Sequence, residues 1–309
     1  MKIVFLGTPE FAIPSLEMLW KSSHQVVAVV TGPDKPVGRG RKLAPTPVKM
    51  TAEALGIPAL TPAKFSDSDF VAQLKQYNAD LFVVVAFRIL PEAIFGMPPK
   101  GTINLHSSLL PKYRGAAPIN WAVINGERET GVTTFFIEEQ VDTGEWILQE
   151  KTGIGASETA GDLHDRLSIL GARVLLETVD RIAAGNAPRI RQVGDVTRAP
   201  KITKEICAIN WSEDCLSIYN KIRGLSPYPR AYTHFMGQEF KLCTSSIESQ
   251  EAVPGVVPGE ILNVDKQKFT VATGRGVLAI TEVQPENKRR MTSAEYLRGN
   301  PVQVGQRFG

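Results

Sequence analysis

The sequence is poor in cysteine, and its few cysteines follow no ligand pattern. There are three, at Cys207, Cys215 and Cys243, and no Cys-x-x-Cys spacing joins any of them. An odd, unpatterned set excludes a disulfide framework and gives no reason to expect a zinc site. Because proteins without disulfides are typical of a reducing compartment, we expect a cytoplasmic protein that binds no metal.

Long apolar runs are also missing. No stretch approaches the roughly 20 consecutive apolar residues of a membrane helix, so no association with a membrane is expected. The opening residues are apolar in the manner of an export signal, but Gly7, Pro9 and Glu10 interrupt them too early. The chain is therefore predicted neither to span a bilayer nor to be exported.

Charge of one sign is not in strong excess. The 35 Lys and Arg residues face 32 Asp and Glu residues, which gives a formal net charge of +3. So small a balance does not identify a nucleic-acid-binding protein, and the placement of the basic residues matters more. A hydrophobic fraction of 43% is ordinary for a folded protein, and a length of 309 residues predicts two domains.

The first turn lacks the glycines of a dinucleotide-binding loop. Gly7 follows the first apolar run, but Thr-Pro-Glu comes next, and the three-glycine fingerprint is absent. Glu10 would also repel a phosphate at the start of the following helix. A nicotinamide-dependent enzyme is therefore not expected.

Two different patterns divide the chain. Up to residue 185, apolar runs such as Lys2–Leu6, Val26–Val30 and Leu81–Ala86 alternate with helical stretches. This alternation predicts an α/β fold with an open, doubly wound, mostly parallel sheet of the Rossmann-like type. After one more predicted helix over residues 212–222, short strands without intervening helices predict a small antiparallel β-barrel, OB-like in type. The expected parts are a first domain over residues 1–188, a basic linker over 189–204 and a second domain over 205–309.

Polar residues mark the end of one predicted strand. Alternation along that strand places Asn104 and His106 on the same side, and open α/β sheets bind ligands at the carboxyl ends of strands. Asp142, in the turn Asp-Thr-Gly, adds a carboxylate. An amide can stabilise an oxyanion, an imidazole can carry a proton, and a carboxylate can orient that imidazole. Taken singly, each residue has an equally ordinary structural explanation in a turn or a strand end.

Three motifs resemble the signature of the folate-dependent formyltransferases. They are Ser108-Leu-Leu-Pro-Lys-Tyr-Arg-Gly115, Thr130-Gly-Val-Thr133 and Val141-Asp-Thr-Gly144. Other stretches resemble the members of that family that act on methionine attached to initiator tRNA, namely residues 33–43, 209–212 and 222–229. The resemblance covers both predicted domains. It implies transfer of the formyl group of 10-formyltetrahydrofolate to the amino group of initiator methionyl-tRNA, with no metal required.

The resemblance also implies roles for single residues. Asn104, His106 and Asp142 would be catalytic, and either His106 or Asp142 would accept the proton of the amine. Where the family tends to read Ala-Tyr-Gly-x-Ile-Leu, this chain reads Ala86-Phe-Arg-Ile-Leu90, one residue shorter, so the folate pocket is expected to differ in shape. The residues expected to contact the folate donor are Ser108, Leu109, Leu110, Pro111, Phe87 and Leu90. For the two leucines of the 108–111 turn, closure of the sheet edge is an equally good explanation.

Basic residues cluster after the second predicted strand and in the linker. Residues 35 to 49 include five bases and no acid, interleaved with Gly and Pro. Such a run is ordinarily a solvated surface, but its position near the strand ends suits a phosphate-bearing acceptor. The residues expected to bind tRNA are Lys35, Arg39, Arg41, Lys42, Lys201 and Lys204.

Two rival functions stay open at this point. A formyltransferase acting on a small amine, such as a ribonucleotide or an amino sugar, would share the three catalytic residues but need neither the basic loop nor the second domain. A noncatalytic RNA-binding protein would not need Asn104, His106 and Asp142. Arg114 is either a clamp for a carboxylate or phosphate or the partner of an acid such as Glu145. Nothing in the sequence requires more than a monomer.

Overall fold

The computed structural model describes residues 1–37 and 42–309, which form two compact units. Two short segments ahead of residue 164 belong to the second unit, so the chain does not divide at a single point. The predicted linker is shared, with residues up to Ala199 in the first unit and those from Pro200 onward in the second. The first unit comprises Met1–Gly115, Thr130–Gly153 and His164–Ala199, and the second comprises Ala116–Glu129, Ile154–Leu163 and Pro200–Gly309.

The secondary structure follows the two predicted patterns. The strands up to residue 199 are β1 (Lys2–Gly7), β2 (Gln25–Val30), β3 (Lys35–Val37), β4 (Lys42–Ala44), β5 (Ala59–Leu60), β6 (Leu81–Val85), β7 (Thr102–His106), β8 (Arg114–Gly115), β9 (Glu129–Phe136), β10 (Trp146–Gly153) and β11 (Arg198–Ala199). The later strands are β12 (Ala231–Phe235), β13 (Gln238–Ser249), β14 (Ile261–Val264), β15 (Phe269–Ala272), β16 (Val277–Pro285) and β17 (Met291–Thr292). The α-helices are α1 (Ile13–Trp20), α2 (Pro47–Ala54), α3 (Ser68–Gln76), α4 (Glu92–Phe95), α5 (Pro118–Ile124), α6 (Ala160–Ala183), α7 (Lys204–Cys207), α8 (Cys215–Gly224) and α9 (Ser293–Leu297).

Seven strands form the central sheet of the first unit, in the order β10-β9-β7-β6-β1-β2-β5. The pairs β1–β2, β1–β6, β6–β7 and β2–β5 are all parallel. Strand β9 runs against β7, with which it pairs in the antiparallel sense. The predicted α/β class with an open, mostly parallel sheet is therefore confirmed.

The central strands form because their residues are apolar on both faces. Ile3–Leu6 of β1 and Leu81–Val85 of β6 are buried along their whole length, as expected when helices cover both sides of a parallel sheet. Burying each such side chain contributes about 1.5–3 kcal/mol. The registers bring the strand ends level, with Gly7 beside Val85 and Val85 beside Leu105. The carboxyl ends of β1, β6 and β7 consequently lie together at one edge.

Helix α6 covers one face of β7. A Cβ atom at Gly171 would lie only 2.7 Å from Cδ2 of Leu105, so the helix backbone comes very close to the strand at this glycine. Leu105 is buried under the helix. Because side chains alternate along a strand, Asn104 and His106 project from the opposite face of β7. The packing of α6 thus leaves the polar pair on the other side of the sheet.

The second unit is built around an antiparallel sheet in the order β12-β13-β16-β15-β14, with β17 added beside β16. The strand pairs β12–β13, β13–β16, β14–β15, β15–β16 and β16–β17 are antiparallel, which confirms the predicted antiparallel β domain. Its core contains Phe308, whose ring lies 5.5 Å from that of Trp211 and 4.7 Å from that of Phe235. Within the same unit, a Cβ at Gly224 of α8 would lie 2.6 Å from Cγ1 of Ile124, so α5 and α8 pack closely.

Across residues 1–37 and 42–309, no helix combines the length and the apolar character needed to cross a membrane.

Candidate active site

Strand β7 ends with the two polar residues that the sequence placed on one side. Asn104 pairs with Val84 of β6 and Phe135 of β9, and His106 pairs with Thr133 of β9. His106 is buried, whereas Asn104 is partly exposed. Within the described part of the chain, the Asn104 amide makes no hydrogen bond. A partly buried amide without a partner is a hydrogen-bonding group available to a ligand.

The imidazole of His106 is held through Nε2. This atom lies 2.9 Å from the carbonyl oxygen of Tyr113. A carbonyl oxygen only accepts hydrogen bonds, so Nε2 must carry the proton and donate it. In the neutral ring, Nδ1 then bears the lone pair. The contact fixes both the orientation and the tautomer of His106.

The Nδ1 atom of His106 faces the carboxylate of Asp142. Oδ2 of Asp142 lies 3.9 Å from Nδ1 and accepts a hydrogen bond of 2.9 Å from the backbone N–H of Gly115. Both side chains are largely shielded from solvent. The structure therefore brings His106 and Asp142 together, although 35 positions separate them in the sequence, and it places Asn104 on the same face of β7.

Asp142 sits in a strained turn between β9 and β10. Its φ of 58° lies in the left-handed region that few non-glycine residues adopt. A Cβ at Gly144 would lie 1.8 Å from the carbonyl oxygen of Phe136, so only glycine fits there. Tyr113 (φ 60°) shares the left-handed conformation. Strain of this kind clusters at functional sites, where the surrounding structure must hold it in place.

The turn over residues 108–111 is held by hydrogen bonds to side chains of the neighbouring strands β9 and β10. The hydroxyl of Thr133 donates to the carbonyl oxygen of Ser108 (2.7 Å) and accepts from the N–H of Leu110 (3.2 Å). The amide of Gln149 donates to the same hydroxyl and to the carbonyl oxygen of Leu110. The side chain of Ser108 is buried and donates to the carbonyl oxygen of Lys112. Leu110 is buried too, while Leu109 and Pro111 are partly exposed. A folate contact of this turn would therefore be made chiefly by its backbone, Leu109 and Pro111.

The shortened turn after β6 is held by contacts of Arg88 that the sequence did not predict. The guanidinium of Arg88 lies 4.2 Å from the ring centre of Phe65 and 5.5 Å from that of Phe87, and it donates to the carbonyl oxygens of residues 62 and 63. Partial burial lowers the pKa of Arg88. Leu90 is buried in the apolar core of the first unit, and Phe87 packs against that core from a partly exposed position. Of the two predicted folate contacts, Phe87 is the more accessible.

Arg114 does not pair with Glu145, the acid considered as its partner. Its Nε and Nη2 atoms donate to Oε1 of Gln192, at 3.2 and 2.6 Å. Glu145 is instead 3.5 Å from Arg189. Gln192 was not predicted, because nothing in its sequence neighbourhood distinguishes it from a linker residue. The backbone groups of Tyr113 and Gly115 were not predicted either, although both residues lie within the Ser108–Gly115 motif.

The residues predicted to bind tRNA differ in their surroundings. Arg39 and Arg41 lie outside the described residues, and of Lys42 only the backbone in β4 is described. Lys35 and Lys201 are exposed. Lys204 forms an exposed ion pair of 3.0 Å with Glu239, whose hydrogen bond raises the pKa of Lys204. Exposed ion pairs are weak, so an approaching phosphate could compete for the ammonium group.

The arrangement can support proton transfer next to a hydrogen-bond donor. His106 presents a lone pair on Nδ1, Asp142 supplies a negative charge beside it, and Asn104 offers an amide. The described ranges 1–37 and 42–309 contain no cluster of three or more His, Cys, Asp or Glu residues that could hold a metal ion.

Comparisons with known proteins agree with this chemistry. Residues 1–179 match the family described as formyl transferase, and residues 201–301 match its C-terminal domain. The methionyl-tRNA formyltransferase of Pelotomaculum thermopropionicum is 47% identical over 306 residues, covering 99% of this chain and 97% of that protein. The methionyl-tRNA formyltransferase of Alkaliphilus oremlandii is 47% identical over 311 residues, the whole of both chains. Among solved structures, a methionyl-tRNA formyltransferase from Clostridium thermocellum matches with a TM-score of 0.55 at 17% identity, over 80% of this chain and 94% of that one, a likeness of fold alone.

Proposed function

This chain belongs to the formyl transferase family, and from that premise we propose that it is a methionyl-tRNA formyltransferase. It transfers the formyl group of 10-formyltetrahydrofolate to the amino group of methionine on initiator tRNA. The carrying observation is that relatives bearing this name are 47% identical over essentially the whole chain, including the second domain. The juxtaposition of His106 and Asp142 beside the unpartnered amide of Asn104 supplies the chemistry that this reaction requires.

The folate donor fits the edge of the sheet at which β6 and β7 end. When bound, it supplies the formyl carbon that the amine attacks. The unpartnered Asn104 amide would hold the formyl oxygen, whose negative charge grows during attack. The accessible parts of the 108–111 turn, Leu109 and Pro111, together with Phe87, would contact the folate ring system. Hydrogen bonds from Thr133 and Gln149 keep this turn in place.

His106 is the proposed acceptor of the proton of the amine. An amine attacks only when it is unprotonated, and Nδ1 is the ring nitrogen with a lone pair, because Nε2 donates to Tyr113. Protonation turns the ring into a cation directly beside the carboxylate of Asp142, which stabilises it. The proton then returns from Nδ1 to the folate nitrogen that leaves the formyl carbon. His106 thus acts first as base and then as acid, and Asp142 acts as its counter-ion.

The acceptor would be recognised through its phosphates. Lys35 and Lys201 are exposed and Lys204 is held by a weak ion pair. Arg39, Arg41 and Lys42 belong to the basic run over residues 35–49 of the sequence. Positive side chains of this kind supply most of the sequence-independent affinity for nucleic acids. We place the protein in the cytoplasm as a monomer; its three cysteines are buried and unpaired, in keeping with a reducing compartment.

The test compares acceptors for the same purified chain. Labelled formyl transfer from 10-formyltetrahydrofolate is measured onto initiator methionyl-tRNA, an elongator methionyl-tRNA, a glycinamide ribonucleotide and an amino sugar nucleotide. We expect the first to be the best substrate by at least 100-fold in kcat/KM. Preferred transfer to either small amine would overturn the proposed acceptor while leaving the family assignment intact.

A further inference from the structure

Gln192, in the segment between the two predicted domains, forms hydrogen bonds within the first unit through every donor and acceptor position of its side-chain amide. Oε1 of Gln192 accepts from Nε and Nη2 of Arg114, and Nε2 donates to the carbonyl oxygens of Asp142 and Gly144, at 2.9 Å each. An amide has two N–H donors and one oxygen with two lone pairs, so all four positions are filled. The partners also fix its orientation, because guanidinium groups only donate and carbonyl groups only accept.

The two hydrogen bonds donated by Nε2 of Gln192 hold the turn that contains Asp142. The backbone of Asp142 is in the left-handed conformation, which a non-glycine residue adopts only when neighbours enforce it. Gln192 binds the carbonyl oxygens on both sides of the turn's tip, at Asp142 and Gly144. The direction of the Asp142 carboxylate, and with it the 3.9 Å distance to Nδ1 of His106, follows from that backbone.

The two hydrogen bonds accepted by Oε1 from Arg114 hold the segment that orients both catalytic side chains. Arg114 stands between Tyr113, whose carbonyl oxygen accepts from His106, and Gly115, whose N–H binds Asp142. The chain beyond Gln192 supports the same segment: the N–H of Tyr113 donates to the hydroxyl of Thr197 (2.8 Å), and β8 pairs with β11. A Cβ at Gly115 would lie 2.6 Å from the carbonyl oxygen of Ala199, so the two strands are in close contact.

Apolar burial does not explain why residues 192–197 lie there. Val193 is 83% exposed and Val196 is 55% exposed, so neither anchors the segment in a core. Polar contacts carry the attachment, and they converge on residues 113–115 and 142–144. We propose that Gln192 is a positioning residue for catalysis, which holds Asp142 and His106 in register by binding both of these segments at once. This inference rests on the proposed function, since it concerns the efficiency of the same formyl transfer.

The test uses Gln192→Glu and Gln192→Met, which keep the length of the side chain. Glu retains the contact to Arg114 but places an oxygen against two carbonyl oxygens, and Met removes all four hydrogen bonds. Because displacement of a catalytic group by about 1 Å can cost about 100-fold in rate, we expect kcat to fall at least tenfold in both variants. The KM values for folate and for tRNA should stay within about threefold of the wild type, and the pH profile of kcat should shift.

Thr197→Val is a second, independent variant, since it removes the hydroxyl that binds Tyr113 while nearly preserving shape. We expect a smaller fall in kcat, again without a large change in either KM. The matched control is Gln73→Glu on the exposed face of α3, which makes the same charge change away from the site. Thermal unfolding of each variant shows that the assays are made on folded protein.

Three results would overturn the inference. Wild-type kcat with an unchanged pH profile in Gln192→Glu or Gln192→Met would show that the glutamine positions nothing. A loss confined to the KM for tRNA would mean that the segment serves the acceptor instead. If both Gln192 variants fail to fold, normal kcat in Thr197→Val is the deciding negative result. An inactive wild-type chain would instead contradict the proposed function, so the two failures are distinguishable.

Discussion

A single hydrogen bond decides which nitrogen of His106 is free to act. With Nε2 donating to Tyr113, the lone pair is on Nδ1, on the side of Asp142. The two groups do not form a tight ion pair, since 3.9 Å exceeds a hydrogen-bonding distance. In the proposed mechanism, that gap lets Nδ1 take a proton from the amine while the carboxylate stays close enough to stabilise the resulting charge.

Removing the charge of Asp142 should slow the reaction without disturbing the turn. Asp142→Asn keeps an oxygen that can accept from the N–H of Gly115 but leaves protonated His106 without a counter-ion. We expect kcat to fall at least 100-fold in a steady-state formylation assay, a typical magnitude for acid–base groups. Asp69→Asn, on exposed helix α3, is the matched control. A kcat within threefold of the wild type would exclude a counter-ion role for Asp142.

The amide of Asn104 gives a second test at the level of one residue. Asn104→Asp retains the shape but has no N–H to donate, and Asn104→Ala removes the group altogether. Because a donor to a developing oxyanion is worth about 10²–10³ in kcat, both variants should lose that much, with the KM for the folate donor changed far less. Kinetics at saturating acceptor separate the two parameters. If Asn104→Asp were as active as the wild type, the amide would not be the donor.

At the level of secondary-structure elements, burial decides what a sequence can predict. Strands β1, β2 and β6 were predictable because they are continuous apolar runs, and α6 because of its long apolar stripe. Strand β9 was not predicted, because Thr133 and Thr134 are polar by composition yet fully buried through hydrogen bonds. Helix α3 begins at Ser68, because the side chain of Asp67 caps it by accepting a hydrogen bond from the N–H of Asp69.

The site shows the same limit. Alternation along one strand was enough to pair Asn104 with His106, and the family motif supplied Asp142. Gln192 escaped prediction, because its partners are backbone carbonyls and an arginine about 50 and 78 positions away. Backbone groups have no sequence signature, so contacts that depend on them emerge only from the folded chain.

Helix α8 offers a test of stability for the second unit. Asp214 caps it by accepting from the N–H and the hydroxyl of Ser217, and these hydrogen bonds lower the pKa of Asp214. Asp214→Ala should cost about 1 kcal/mol in the free energy of unfolding at pH 7, whereas Asp214→Asn, which keeps an acceptor, should cost a few tenths. Thermal or urea unfolding of the full chain measures both. Equal losses in the two variants would show that the capping oxygen is unimportant.

The same residue predicts a dependence on pH. A carboxylate whose pKa is lowered in the folded state stabilises the fold above its unfolded pKa of about 3.9, and that contribution is lost as the pH falls through the folded value. The difference in stability between wild type and Asp214→Asn should therefore be constant near neutral pH and shrink below about pH 4. A difference that grew with acidity would contradict the assignment.

At the scale of the whole molecule, the modest net charge conceals how the basic residues are used. Several of them are engaged within the chain, among them Lys49 with Asp34, Arg290 with Glu282 and Arg289 with Glu295. The affinity for a polyanion must then come from a limited number of cations rather than from the overall charge of +3. Single basic residues in the run over residues 35–49 should consequently have large and separable effects on tRNA binding.

Arg39 and Arg41 are the residues at which this expectation can be tested. Each phosphate contact that is lost lowers the slope of log KM against log salt by about one, and weakens binding. Arg39→Ala combined with Arg41→Ala should raise the KM for initiator methionyl-tRNA about tenfold and reduce the slope by about two, while kcat and the KM for the folate donor change little. The double variant Arg173→Ala with Arg181→Ala removes the same charge from the exposed surface of α6 and should leave all three parameters near wild type. Formylation rates measured between low and moderate salt give the slopes. A change in the folate KM alone would place Arg39 and Arg41 at the donor site. Equal effects of the two double variants would show that Arg39 and Arg41 contribute only through the overall positive charge of the protein.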